Sequence, residues 1–393
     1  MTAQKRLLIF SLAYQPFVGG AEVAVKEITY RLPDYDFDLL TVNLDRQQKA
    51  TEKIGAVSVY RSNSPKYFFP LAACLLAVKL HQKNKYDAIW SIMANQAGLA
   101  AALFKRCFPR VPWLLTLQEG DDLNSLAYRL RLLAPRWFGV FKSADQIQVI
   151  SNYLSAWARR MGATAPISVV PNGVDVSNFQ VLASSFQFKD NENKIIITTS
   201  RLVKKNGVDT LIEAMQFLPN NVRLQILGTG PKERSLRKLV SRLNLDGRIK
   251  FFGQVSPNEI PNYLASADIF VRPARSEGLG NSFLEAMAAG VPIVGTPVGG
   301  IPDFLHDPQW QGESLPFGKD LPLEQTGWFC EVGNPKSVAE KISFILDPSN
   351  FNLVNEVITK ARKVVTEKYH WHQISIQIGH IFEKLIAKNE KNR

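Results

Sequence analysis

The stretch Ile269-Phe-Val-Arg-Pro273-Ala-Arg275-Ser-Glu277-Gly-Leu-Gly280-Asn-Ser-Phe-Leu-Glu285-Ala-Met-Ala-Ala-Gly290-Val-Pro-Ile-Val294 reads as an apolar strand, a glycine-bearing loop, a helix and a second strand. A β–loop–α–β unit of this length belongs to an α/β fold with a parallel sheet. A helix starting near Asn281 or Ser282 points unpaired N–H groups and the positive end of its dipole forward, and Gly278 and Gly280 let a ligand approach the backbone. A phosphate suits that place. Glu277 and Glu285 do not suit a bare phosphate, so the reading gives them hydroxyl groups on the same ligand. Phosphate plus polyol suggests a nucleotide-sugar. Ser282-Phe-Leu-Glu285 is also an S-x-x-E capping box, which offers Glu285 a purely structural role. Glu277 precedes the helix and lies at a strand's carboxyl end, where open α/β sheets bind ligands.

The same alternation extends both ways. Apolar runs at Leu7 to Ala13, Asp38 to Asn43, Val57 to Arg61, Ala88 to Met93, Trp113 to Leu117, Gln146 to Ile150 and Ser168 to Val170 are separated in several places by helical stretches. Turn residues then cluster from Pro171 to Phe179, and a polar segment from Leu182 to Lys194 reads as a linker. The cycle restarts at Lys194 to Ser200, Val222 to Gly228, Ile249 to Gly253, Ile269 to Val271, Pro292 to Thr296 and Trp328 to Val332. The expected organisation is a first doubly wound domain at 1–176, a second at 177–369 and a helical segment at 370–393. With 393 residues, two domains fit the usual size.

Composition narrows the function. Hydrophobic residues make up 46% and charged residues 21%, an ordinary globular balance. Cys74, Cys107 and Cys330 are isolated, so neither a disulfide framework nor a zinc site is indicated, and a reducing, cytoplasmic setting fits best. The net charge of +12 favours anionic partners. The run Lys5 to Ala13 lacks a small-residue cleavage pattern and reads as a buried strand, not a signal peptide. No run reaches the ~20 residues of a membrane span.

Other strand-end loops carry candidate ligands. Ser200-Arg201-Leu-Val-Lys204-Lys205-Asn206-Gly207 offers a planar guanidinium and ammonium groups for a diphosphate. Gly228-Thr-Gly230 and the loop through Val255 present backbone groups. In the first half, Gly19 and Gly20 precede a helix and allow close approach of a phosphate or acceptor, or simply form a tight turn. They do not make the G-x-G-x-x-G fingerprint of a simple nicotinamide enzyme.

Taken in order, Gly19-Gly20-Ala-Glu22, Pro171-Asn-Gly-Val-Asp175, Ser200-Arg-Leu202, Gly228-Thr-Gly230, the E-x7-E span from Glu277 to Glu285, Gly290-Val-Pro-Ile-Val294 and Gly299-Gly-Ile-Pro302 resemble glycosyltransferase family 4 over nearly the whole chain. The resemblance implies a GT-B fold: two Rossmann-like domains facing across a cleft, the last helix crossing back to the first. It implies a retaining transfer from a UDP- or GDP-linked sugar with no metal and no further cofactor. In that scheme Arg201 and Lys205, with Lys204 as the alternative, hold the diphosphate. Glu285 takes the ribose, Glu277 the sugar, and the backbone of Gly278, Leu279, Gly280, Asn281 and Ser282 surrounds it. Two departures stand out. Many relatives carry a histidine after the strand Trp113 to Leu117, where this chain reads Gln118-Glu119-Gly-Asp121-Asp122; Gln118, Glu119 and Asp121 become acceptor-site candidates, with Asp121 also a catalytic candidate. The lysine that often precedes the loop glycine is Asn206.

The expected acceptor is a glycan or lipid-linked saccharide. Lys66-Tyr-Phe-Phe-Pro70 and Tyr128 to Lys142 mix basic and bulky apolar residues and suit an anionic membrane interface on the cytoplasmic side; no nucleic-acid reading motif accompanies the charge. A nucleotide-sugar epimerase on the same scaffold, or a nonenzymatic binding module, is the alternative. A glycosidase leaves the basic loop without purpose. The D-x-D spacing of Asp34, Asp36 and Asp38, and the pair His370 and His372, lack the company of a metal site, and no G-x-S-x-G marks a serine hydrolase.

Overall fold

The computed structural model describes residues 4–17, 19–120, 134–180, 193–312 and 324–390. Its contacts divide the chain into two compact units, one of residues 1–119, 123–172 and 371–393, the other of residues 120–122 and 173–370. The division thus falls at 172/173 and 370/371.

The first unit holds an eight-stranded sheet. Its strands are β1 (Lys5–Phe10), β2 (Tyr35–Val42), β3 (Thr51–Ile54), β4 (Val57–Ser62), β5 (Ala88–Ile92), β6 (Trp113–Leu117), β7 (Gln146–Val149) and β8 (Ile167–Val169), in the order β3-β4-β2-β1-β5-β6-β7-β8. All neighbours are parallel except β3 and β4. Strands β5 and β6 are buried along their whole length, as helices on both faces of a parallel sheet require, which is why they read as unbroken apolar runs. Helices α1 (Gly20–Tyr30), α2 (Phe69–Asn84) and α3 (Gln96–Cys107) supply part of that cover. The helix Trp371–Glu390 also packs in this unit: Trp371, Ile374, Ile378 and Phe382 join the core around Trp90, Tyr35 and Leu39.

Strand β3 is not legible in the sequence. Its Thr-Glu-Lys-Ile is a partly exposed edge with no apolar alternation, and it exists because Gly55, at φ +57, turns the chain back so that Ile54 pairs with Val57.

The second unit holds β9 (Lys194–Thr199), β10 (Val222–Leu227), β11 (Ile249–Gly253), β12 (Ile269–Arg272), β13 (Ile293–Gly295) and β14 (Trp328–Phe329), all parallel, in the order β11-β10-β9-β12-β13-β14. Counted from the first strand of the unit this is 3-2-1-4-5-6, the doubly wound dinucleotide-type order, whose switch point lies between β9 and β12. Aspartates just before strands fix the register. Asp268 accepts from Ile195 N at 2.7 Å, Asp87 from Arg6 N at 2.9 Å and Asp145 from Trp113 N at 2.7 Å, each joining the start of one strand to its neighbour.

Candidate donor site at the sheet switch point

The loops leaving β9 and β12 are laced together at the switch point. Arg272 ends β12, a strand otherwise made of Ile269, Phe270 and Val271 and buried throughout. A buried guanidinium needs several partners to offset its lost hydration. Arg272, 8% exposed, donates through Nη1 to Ser282 Oγ at 2.8 Å and through Nη2 to Asn206 Oδ1 at 2.9 Å, and its Nη2 also pairs with Glu277 Oε2. Asn206 in turn donates through Nδ2 to the Arg201 carbonyl at 2.6 Å. One side chain thereby ties the basic loop to the acidic turn. Arg275 makes a second tie: its fork grips Asp209 at 2.7 and 2.9 Å, and Nη1 also reaches the Lys204 carbonyl at 2.8 Å.

The Glu277 segment is also clamped through its backbone. A side chain at Gly299, which sits at φ +58, would place its Cβ 1.8 Å from the Glu277 carbonyl oxygen, and Gly300 N donates to that oxygen at 3.2 Å. Gly207, at φ +67, lies equally close to the Pro273 carbonyl. Only glycine permits both the left-handed backbone and the contact. These glycines hold the turn in place from either side.

Glu277 is therefore less open than its place in a loop suggests. One oxygen is paired with Arg272, and the other accepts from Gly278 N at 3.0 Å. Each carboxylate oxygen retains a further lone pair, so a ligand hydroxyl can still donate to it. The helix Asn281–Ala288 begins as expected, but the capping box does not form. Its N-cap is Gly280, at φ +105, while Ser282 lies inside the first turn and accepts from Arg272. Leu279 is buried, Asn281 and Ser282 partly so.

Glu285 projects from the same helix and is largely enclosed by protein; burial pushes its carboxyl up to about 7, with the Arg272 charge acting in the opposite direction. The folded chain holds a proton here that the unfolded chain, near its ordinary value of 4.5, has released. Stability is therefore lost as pH rises from about 4.5 through about 7. In Glu285→Gln this loss is absent: by scanning calorimetry the variant should melt at the same temperature as the parent near pH ~4 and above it near pH ~8.

In the basic loop, Arg201 and Lys204 are exposed, whereas Lys205 is half-buried and donates through Nζ to the Gly120 carbonyl at 2.7 Å. Gly120 groups with this unit, and a Cβ built on it would lie 2.9 Å from Lys205 Nζ and 3.4 Å from Glu277 Oε1. Gly228 and Gly230 lie directly against the backbone of the basic loop. Their missing side chains leave room for the Ser200 and Leu202 backbone, and Leu202 N donates to the Thr229 carbonyl at 2.9 Å. Val255 is half-buried in the loop after β11.

In the first unit the loop after β6 is built inward. Glu119 Oε1 accepts from Ala94 N at 2.7 Å and Gln118 Oε1 from Asn172 Nδ2 at 3.1 Å, both side chains being buried. Gly19 is the N-cap of α1 and Gly20 its first residue, where the sequence places a helix start. The Glu22 carboxyl group lies against that helix start, where a Cβ on Gly19 would meet Glu22 Oε2 at 2.5 Å. An anion there would meet a carboxyl group, whose burial raises its pKa. Asp121 and Asp122 lie outside the described residues. Asp38 accepts from Asn84 at 3.0 Å and from Tyr86, and Asp36 faces Arg6 at 3.6 Å. Among the described residues no three His, Cys, Asp or Glu side chains gather as metal ligands.

Arg272 and Asn206 are site residues that no motif in the sequence marks. The available signal was an arginine at the end of an otherwise apolar buried strand, which must find acceptors.

Known proteins resemble this chain in architecture and in sequence. Residues 18–178 match the family model described as Glycosyltransferase Family 4, and residues 183–364 the one described as Glycosyl transferases group 1. A GDP-mannose-dependent monoacylated alpha-(1-6)-phosphatidylinositol monomannoside mannosyltransferase of Corynebacterium glutamicum is 34% identical over 336 residues, covering 78% of this chain and 84% of that protein. An uncharacterized glycosyltransferase of Methanocaldococcus jannaschii is 24% identical over 95% of this chain and 96% of its own length. Among solved structures, sucrose-phosphate synthase from Thermosynechococcus elongatus superposes with a TM-score of 0.80 at 20% identity, covering 98% of this chain and all of that one. Anabaena HepE, solved in complex with UDP and glucose, gives 0.75 at 18% identity over 97% and 99% of the two chains. These likenesses assign the GT-B fold, and the sequence relationship to the corynebacterial enzyme places this chain in glycosyltransferase family 4.

Proposed function

We propose that the chain transfers a sugar from a nucleoside-diphosphate sugar to a hydroxyl of a lipid-linked or glycan acceptor, with retention at the anomeric carbon and without a metal. The observation that carries the reading is the switch-point network, in which one buried arginine holds Glu277 and Ser282 beside the Arg201 loop. In this reading Arg201, with Lys204 or Lys205, neutralises the diphosphate; the exposed Arg201 guanidinium can chelate two of its oxygens. Backbone groups from Gly278 to Ser282 surround the β-phosphate and sugar, and Gly228, Gly230 and Val255 border the nucleotide. Glu285 accepts from the ribose hydroxyls and Glu277 from the sugar hydroxyls.

The chemistry asks mainly for position and charge. The anomeric carbon–phosphate oxygen bond breaks as the acceptor oxygen attacks from the same face, and the acceptor proton passes to the departing phosphate. Fixed cations stabilise the negative charge that develops on that phosphate, and immobilised sugar hydroxyls hold the carbon in line. The acceptor reading rests with the loop after β6, through Gln118, Glu119 and Asp121, and with Gly19 and Gly20 at the start of α1. The lipid-linked acceptor draws support from the corynebacterial relative, whose name specifies a phosphatidylinositol mannoside. The test is turnover of a panel of nucleotide-sugars with lipid-linked and soluble acceptors, read by the anomeric proton of the product.

A further inference from the structure

Helix α2 presents two apolar faces, and only one of them is covered. Phe69, Pro70, Ala73, Cys74 and Ala77 face the core of the first unit. Around the other side Tyr67 is 85% exposed, Phe68 66%, and Leu71 and Leu75 59% each. Phe68, Leu71 and Leu75 follow the three- and four-residue steps of a single helical stripe, which continues through exposed Lys79 and on to Gln82 and Lys83. The stripe is thus apolar for its first two turns and basic afterwards. From Ser62 to Tyr86 the sequence carries Lys66, Lys79, Lys83 and Lys85 and no carboxylate. Four large apolar side chains left in water at one place mark an interaction surface.

We infer that this face of α2 docks the protein on a membrane surface containing anionic lipid. The helix has sixteen residues, about 24 Å, and no described helix is long and apolar enough to cross a membrane, so α2 lies in the interface and does not span it. Tyr67, Phe68, Leu71 and Leu75 enter the headgroup–acyl boundary, while Lys66, Lys79 and Lys83 meet lipid phosphates. A second copy of the chain is the poorer occupant. A second copy would bring no carboxylate from the same segment to the basic half of the stripe, since Ser62 to Tyr86 carries none. The other segment that sequence suggested for a membrane interface, Tyr128 to Lys142, falls largely outside the described side chains.

The inference gives a purpose to the lipid-linked acceptor of the proposed function and rests on that reading for its meaning; its test uses neither donor nor acceptor and so stands or falls separately. The 393-residue chain is sedimented with vesicles of phosphatidylcholine alone or with roughly a third phosphatidylglycerol, at low and high salt. The expected result is binding to the anionic vesicles, weakened by salt, and lowered about tenfold or more both in Leu71→Ser/Leu75→Ser and in Lys79→Glu/Lys83→Glu. These residues are exposed, so the variants should keep the parent's circular dichroism and melting temperature. Absence of vesicle binding by the parent overturns the inference, as does equal binding by parent and variants. A parent dimer that Leu71→Ser/Leu75→Ser dissociates would assign the face to a second copy instead.

Discussion

Glu277→Gln is expected to lower the transfer rate by roughly 10²–10³-fold while leaving nucleoside-diphosphate binding close to that of the parent. The substitution keeps the volume of the side chain but removes its charge and one acceptor oxygen. In the parent, those two oxygens answer two separate donors, Arg272 and Gly278 N. An amide can satisfy only one of them with its oxygen, so its NH₂ is turned toward the other donor or toward the sugar hydroxyls. The effect should appear in kcat, because the diphosphate contacts assigned to Arg201 and the loop lysine are untouched. Calorimetric titration with UDP and GDP beside a turnover assay separates the two quantities, and turnover equal to the parent's would remove Glu277 from the mechanism.

Arg272→Met should be the more damaging change to the fold. It strips the cation from a carboxylate whose side chain is 12% exposed, and leaves the Asn206 and Ser282 oxygens without their donor. Breaking one half of a buried pair costs about 3–5 kcal/mol. Denaturant unfolding should show that loss. Transfer should fall with it, since Glu277 and the Arg201 loop lose their common anchor. Arg272→Lys distinguishes geometry from charge: an ammonium can pair with Glu277 but cannot reach Ser282 and Asn206 with the spread of a guanidinium. It should recover much of the stability and little of kcat. Full recovery of kcat by lysine would mean that charge alone matters at this position.

Much of the architecture is legible along the chain because its strands are covered on both faces. Runs such as Ala88 to Ile92 and Trp113 to Leu117 must then be apolar throughout. The same logic hides β3, which is partly exposed and polar, and whose existence depends on one turn. Loop positions carrying Glu277 and Arg201 are visible because glycines, acids and bases gather after strands. Their mutual arrangement is not, since β9 and β12 are separated by two strands in the chain yet adjacent in the sheet.

The same gap explains Asn206. In sequence it reads only as the absence of a lysine; in space it bridges Arg201 and Arg272. A lysine there would bring a second cation against the buried guanidinium, so Asn206 and Arg272 fit each other. The Ser282–Glu285 pattern misleads for a related reason. A capping box presumes that serine stands at the N-cap, but Gly280 takes that position and the Ser282 hydroxyl is claimed by Arg272 from the neighbouring strand.

The central claim is a retaining transfer at the switch point between β9 and β12. It is tested most directly by proton NMR of a reaction containing the purified chain, a nucleotide-sugar and an acceptor, with a chelator present. The account predicts a product whose anomeric configuration matches the donor, one nucleoside diphosphate released per sugar moved, and no loss of rate with the chelator. An inverted product, interconversion of the donor sugar in place of transfer, or binding without turnover of any donor in the panel would contradict it.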